Sequence, residues 1–211
     1  MKVLLTRVRS ESRGVRPFIE VPTNLVQFKC YGFVKSEKKK GLFFRSGVWD
    51  ENKKHISQVF EEDPRYLFYQ EHIIQGIPLK DTRFYSYHIE RQEAGRARLG
   101  FETEEHLIFR LKGYVSIFKD IEKAHRVTPA YELKGKRGDE IGCVLGRGGE
   151  ILKLAGGNNR FAIAKILQLP TIPIQIYFMH MDFLDEVSAC TGVLPGRKIN
   201  SFLTNVIGAK E

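Results

Sequence analysis

The chain has 211 residues with a formal net charge of +9, and 42% of them are apolar. That apolar share suffices for a packed core and argues against wholesale disorder, and the length suits one large domain or a domain with an extension. No apolar run approaches the roughly 20 residues that span a bilayer, and the start, Met1 to Arg9, lacks the apolar core of a secretory leader. The expectation is therefore a soluble, cytoplasmic protein with no membrane partner. The basic balance favours phosphate-bearing partners, or else serves as a solubilising surface. Three dispersed cysteines, Cys30, Cys143 and Cys190, form no C-x-x-C pair, so they read as free thiols rather than zinc ligands.

In chain order, Phe18 to Val21 and Leu25 to Val34 have the aromatic and β-branched content of strands, with a turn at Pro22-Thr-Asn. Lys35 to Lys40, beside Phe33, Phe43, Phe44 and Arg45, admits two readings: a single-stranded nucleic-acid surface that stacks bases between cations, or a solvated loop between strands. Residues 49 to about 92 read as helical, because Ile56, Val59 and Phe60 recur at helical spacing and Tyr66, Tyr69, Ile73 and Ile74 continue the face. Gly76-Ile-Pro78 interrupts this pattern and Asp81 or Thr82 restarts it. Gln92 to Gly100 reads as a loop. Thr103 caps a further helix whose first acids suit its positive end, with Gly113 as a possible break and Val127-Thr-Pro129 as its stop.

Glu140 to Leu145 and Glu150 to Leu154 flank the turn Arg147-Gly-Gly149, which is a hairpin pattern. Gly146-x-Gly148 lacks the third glycine of a dinucleotide fingerprint, since Ile151 stands there. Asp139, Glu140 and Glu150, all near the hairpin, are candidate acids, with exposed turn carboxylates as the simpler reading. The next stretch is the most informative. After the strand come Gly156 and Gly157, then Asn158, Asn159 and Arg160 open a helix that reaches Leu167. Glycines let the backbone lie against a ligand, and the helix start offers free N–H groups, a positive dipole end and a guanidinium. The segment predicts phosphate binding by Gly156, Gly157, Asn158, Asn159 and Arg160, against a plain tight turn followed by a surface arginine. Lys165, more than a turn further on, reads as solvated. Ile172 to Phe178 is apolar enough for a buried strand. Short helical patterns follow at Phe183, Leu184 and Val187 and at Phe202 to Ile207.

The segment from about Ser116 to Ile176 resembles the ParB and sulfiredoxin-like superfamily. The matching residues are Phe118 to Pro129, Arg147 to Glu150, and Ala155 to Ile174. The resemblance implies an α/β (α+β) fold, with a small mixed sheet and helices over 103–180. A strand- and helix-containing accessory region over 1–102 and a helical tail over 181–211 complete the expected layout. It also implies that the glycine–arginine motif holds nucleotide phosphates, from ATP, ADP or CTP; Mg2+ is the usual companion of any nucleoside polyphosphate, and the sequence offers no dedicated carboxylate cage for it. Members of the superfamily include CTP-binding partition proteins, ATP-dependent sulfinic acid reductases and ADP-dependent serine kinases, so the fold does not set the reaction. Where sulfiredoxins carry a reactive cysteine and partition proteins a glutamate, this chain has Asn158. Where many relatives carry histidines, it has Asn158 and Asn159. Asparagine bonds phosphate but exchanges no proton near neutral pH.

Two histidines are the candidates for the missing proton carrier. His125 precedes the crossover, where relatives approach the nucleotide. His180 follows the last strand, where it can face the same cleft. A helix C-terminus also favours a histidine for its charge alone. Three functions stay open at this point: a nucleotide-dependent phosphotransferase, a DNA- or RNA-binding protein of the partition class, and a non-catalytic nucleotide sensor.

Overall fold

The computed structural model describes residues 18–31, 44–129, 132–133 and 140–185. The Lys35 to Lys40 cluster, Asp139, Cys190 and the pattern at Phe202 to Ile207 lie outside the described residues. The chain is of mixed α/β class and divides into two compact units, which do not follow the expected boundary near residue 102. One unit takes the described parts of residues 1–56, 128–157 and 170–211, and the other takes 57–127 and 158–169.

The first unit carries a seven-stranded mixed sheet. Its strands are β1 (Phe18–Pro22), β2 (Phe28–Cys30), β3 (Phe44–Arg45), β4 (Lys53–His55), β5 (Ile141–Leu145), β6 (Ile151–Lys153) and β7 (Thr171–His180). The order is β1-β7-β5-β6-β2-β4, with β3 also pairing β7. The expected hairpin is present: β5 and β6 are antiparallel, with Cys143 opposite Lys153. Gly146 N–H donates to the Glu150 carbonyl at 3.0 Å, and Gly149 takes a φ of 73° in the turn.

The expected accessory region and the expected domain share this sheet. β2 pairs in parallel with β6, Phe28 beside Leu152, and β1 pairs antiparallel with β7. Strands as short as β2, β4 and β6, three residues each, leave N–H and C=O groups that pairing between distant segments satisfies. β4 falls within the stretch expected to be helical, because Lys53, Lys54 and His55 pair with Cys30, Lys29 and Phe28. All five residues of β5 are buried, and one apolar cluster joins Cys30, Val144, Leu152, Leu154 and Phe178, with Trp49 packed against it.

The second unit is helical. Its helices are α1 (Ile56–Glu62), α2 (Pro64–Phe68), α3 (Arg83–Glu93), α4 (Glu104–Ala124) and α5 (Asn158–Ile166). Asp63 caps α2 by accepting from Arg65 N–H at 2.9 Å, with Pro64 at the first helical position. After α2 the chain widens into a π-helical turn, Tyr69–Ile74, where Gln75 N–H reaches back to Gln70 carbonyl at 2.9 Å. Thr103 caps α4 as the sequence predicts, and of the two expected starts, Asp81 and Thr82, it is Thr82 that caps α3. Gly113 does not break α4, which runs through it for 21 residues, because buried Leu107, Leu111, Phe118 and Ile121 hold both halves.

The aromatic core of this unit joins Phe68, Tyr69, Phe84, Tyr114 and Phe118 through ring contacts of about 6 Å, such as Phe68–Phe84 at 5.8 Å. His88 stacks on Phe101 at 4.2 Å. Burial, reinforced by the charges of Arg98, Arg91 and Arg65, pushes its pKa down to about 4. His88 is therefore an aromatic packing element at neutral pH. The Tyr69 hydroxyl is buried with no hydrogen-bond partner among the described residues, and burial raises its pKa. Tyr69→Phe is expected to leave stability unchanged or raise it by about 1 kcal/mol, read by urea denaturation. A loss of about 1 kcal/mol or more would mean that the hydroxyl is bonded.

Candidate functional site

Of the residues expected to bind phosphate, Gly156 and Gly157 belong to the sheet unit and Asn158 to Arg160 to the helical unit, and each group is described in its own unit. On the sheet side, β6 ends at Lys153 and Leu154 N–H still bonds the Gly142 carbonyl at 2.8 Å. The chain then bends at Gly156 (φ 111°) and Gly157 (φ 59°). A Cβ on Gly157 would lie 2.6 Å from Ile141 N and 2.7 Å from both C and O of Glu140. These are backbone atoms at the start of β5 and cannot swing aside, so only glycine allows this approach.

Lys153 is 1% exposed, and its ammonium donates to the carbonyls of Leu154 and Gly156. Opposite it, Cys143 is fully buried, and its thiol pKa is pushed up to about 12 by burial, with the Lys153 charge opposing. A thiol so protonated is a packing residue and no nucleophile.

On the helical side, α5 begins at Asn158, and Arg160 to Ala164 are buried. Arg160 is 8% exposed, which is not the surface arginine of the bland alternative. The Asn159 Oδ1 is buried and has no hydrogen-bond partner among the described residues. A half-turn of that amide offers an N–H donor in place of the oxygen. Lys165 is half-buried over the Phe161 ring at 5.7 Å, and burial lowers its pKa. It is therefore not the solvated side chain expected, because its stem packs along the aromatic face.

The two histidines have different settings. His125 ends α4 in a left-handed conformation, φ 50°, and is exposed. His180 is 1% exposed, at the end of β7 in the sheet unit. Its Nε2 lies 2.7 Å from the Gly47 carbonyl, which only accepts, so Nε2 carries the proton. Its Nδ1 accepts from Asp182 N–H at 3.1 Å. Both ring nitrogens are engaged, and Trp49 lies over the ring at 5.6 Å. His180 as found is a structural bridge rather than a proton shuttle open to a ligand.

Beside it lies a pair that the sequence reading did not isolate. Asp50 is 2% exposed and accepts from the Arg147 backbone N–H at 2.9 Å and from its guanidinium Nη2 at 2.8 Å. Burial would raise the Asp50 pKa, but the Arg147 bonds outweigh it and lower the value to about 2. The pair ties the 47–51 loop to the hairpin turn across 97 residues. Glu150 closes the same turn, accepting from Gly148 N–H at 3.0 Å and from Lys53 Nζ at 2.6 Å. Its carboxylate is thus a paired turn clamp rather than a free surface group. Glu140 is partly buried. No local pattern announces Asp50–Arg147 or the buried role of Lys153. The only signal is a lone charge in an apolar strand, Ile-Leu-Lys-Leu, for the latter.

Comparison of the chain with protein-family models, with curated proteins and with solved structures finds no match. Among the described residues no helix is long and apolar enough to cross a membrane.

The folded pKa of Asp50 lies below its ordinary value of 3.8. Its contribution to stability is therefore present above about pH 4 and disappears as pH falls through about 2. Wild type is expected to lose stability between pH 4 and pH 2 more steeply than Asp50→Asn, measured by denaturant melts across that range. Equal slopes would mean that the pair does not hold the loop. Gly157→Ala is expected to cost more than about 2 kcal/mol, through the left-handed φ and the backbone clash together. Unchanged thermal unfolding in that variant would contradict the close approach.

Proposed function

We propose that this chain binds a nucleotide by its phosphates through Gly156, Gly157, Asn158, Asn159 and Arg160, in the manner of the ParB and sulfiredoxin-like class. The observation that carries the reading is the Gly156–Gly157 bend directly before α5, with both glycines at positive φ and no room for a side chain at Gly157. Glycines let the backbone lie against a ligand, and a helix start directly after them offers N–H groups to an anion; the Asn159 amide joins those donors only when turned so that its nitrogen replaces the unpartnered oxygen. Arg160 stands in the same first turn of α5. A guanidinium meets a phosphate with two parallel N–H bonds.

ATP, ADP and CTP are the candidate ligands. Among the described residues no group of three or more His, Cys, Asp or Glu is arranged to hold a metal. Mg2+ would then arrive on the phosphate oxygens of the nucleotide rather than in a protein cage. A cytoplasmic location belongs to this reading, since nucleotides are abundant there.

A second reading is a nucleotide sensor without turnover. The engagement of both His180 nitrogens favours it, together with asparagine at Asn158 and Asn159. In the phosphotransferase reading the exposed His125 carries the proton. The nucleic-acid reading rests on the charge of +9.

A ligand that binds only the native state stabilises it, by about 2.7 kcal/mol at a hundredfold excess over Kd. At least one of ATP, ADP and CTP is expected to raise the melting temperature of wild type, and Arg160→Ala is expected to abolish that rise. Absence of binding at millimolar nucleotide, or wild-type affinity in Arg160→Ala, would refute the reading. Product release from bound ATP or ADP would separate a phosphotransferase from a sensor, and a gel shift that fades with salt would bring nucleic acid forward.

A further inference from the structure

We infer that Lys153 is a positioning residue for the phosphate-binding turn: its buried ammonium turns the Leu154 and Gly156 carbonyls toward itself and thereby fixes the direction of the following amides, away from the lysine. The inference rests on the phosphate-binding reading, and it assigns a role to a residue outside the motif itself.

Side chains alternate along a strand. Leu152 and Leu154 join the apolar cluster with Cys30, Val144 and Phe178. Lys153 therefore projects to the other face of the sheet, the face of its register partner Cys143. It is as buried there as its apolar neighbours. Desolvating an ammonium is costly, and an apolar residue would suit a strand that otherwise reads Ile-Leu-x-Leu. The charge is retained at the point where two backbone carbonyls turn toward it.

Those carbonyls belong to Leu154 and Gly156, on either side of Ala155. The described peptide bonds are all trans. In a planar trans peptide the N–H points opposite to the C=O. When the Gly156 carbonyl faces Lys153, the Gly157 N–H is directed away from it, and the Ala155 N–H follows the Leu154 carbonyl in the same way. Gly157 also has no room to slide, because its α-carbon rests against the Glu140–Ile141 peptide. An anion meeting the turn thus finds an amide whose direction is set before binding. Preorganised donors cost no rearrangement when the charge arrives.

The test uses full-length protein labelled with 15N. Wild type is titrated with ATP, ADP and CTP while the Gly157 amide and the slowly exchanging Lys153 ammonium are followed. For the tightest of the three, both resonances are expected to shift with one apparent Kd. In ligand-free Lys153→Met the Ala155 and Gly157 amide resonances are expected to move. Nucleotide affinity should fall at least tenfold, and Lys153→Arg should recover it to within threefold.

A folded Lys153→Met with wild-type affinity would overturn the inference. So would a folded Lys153→Arg that recovers nothing, or a Lys153 ammonium that stays still while the Gly157 amide responds. If Lys153→Met does not fold, the wild-type ammonium measurement decides. If wild type binds none of the three nucleotides, the phosphate reading itself falls. The ligand-free amide shifts then still report whether the lysine orients the turn.

Discussion

The contact between Gly157 and the Glu140–Ile141 peptide governs the course of the chain as it leaves the sheet. The chain leaves β6, makes its bend and lies against the backbone that opens β5, at a distance no side chain tolerates. That seat fixes where the hairpin ends and where α5 begins. Chain direction at this point is set by the absence of a Cβ rather than by any attractive group. Lys153 adds the complementary attraction, holding two carbonyls of the bend from the buried side.

The same sheet unit shows how charges are accommodated in an apolar setting. Asp50, Lys153 and His180 are each almost wholly buried, and each spends its polar atoms on backbone groups or on Arg147. Asp50 is held ionised by Arg147, whose backbone N–H and guanidinium converge on one carboxylate. Removing Arg147 would leave Asp50 as an uncompensated buried charge, whereas Arg147, 39% exposed, keeps contact with solvent. Their effect here is geometric. The loop with Trp49 and Asp50, the hairpin turn with Arg147 and the end of β7 with His180 are tied to one another.

The helical unit follows different rules. Its aromatic core joins α2, the π-helical turn, α3 and α4, and its caps are short polar residues at the helix starts. The widened turn brings Glu71 to the start of α3, where it accepts from Arg83 N–H at 2.8 Å and from the Arg83 guanidinium. A carboxylate at a helix start satisfies a donor that the helix itself leaves open.

Local chemistry alone determined much of this. Thr82 and Thr103 cap helices because a short hydroxyl beside an apolar periodic run has few better uses. The β5–β6 hairpin follows from glycines between apolar runs, and the Gly156–Gly157 bend followed by a helix follows from glycine pairs and Asn. These are signals within one turn or one hairpin, where sequence neighbours are spatial neighbours. Tertiary structure decided what depends on distant partners. Residues 53–55 became a strand because Cys30, Lys29 and Phe28 lie alongside. Gly113 stayed helical because the aromatic core outweighs a weak propensity. β2 joined β6 across the presumed domain boundary, and Asp50 met Arg147 from 97 residues away. A lysine in an apolar strand became an internal donor, and a histidine expected to face a cleft had both nitrogens taken. Burial and pairing are properties of the folded ensemble of contacts, and no single stretch of sequence contains them.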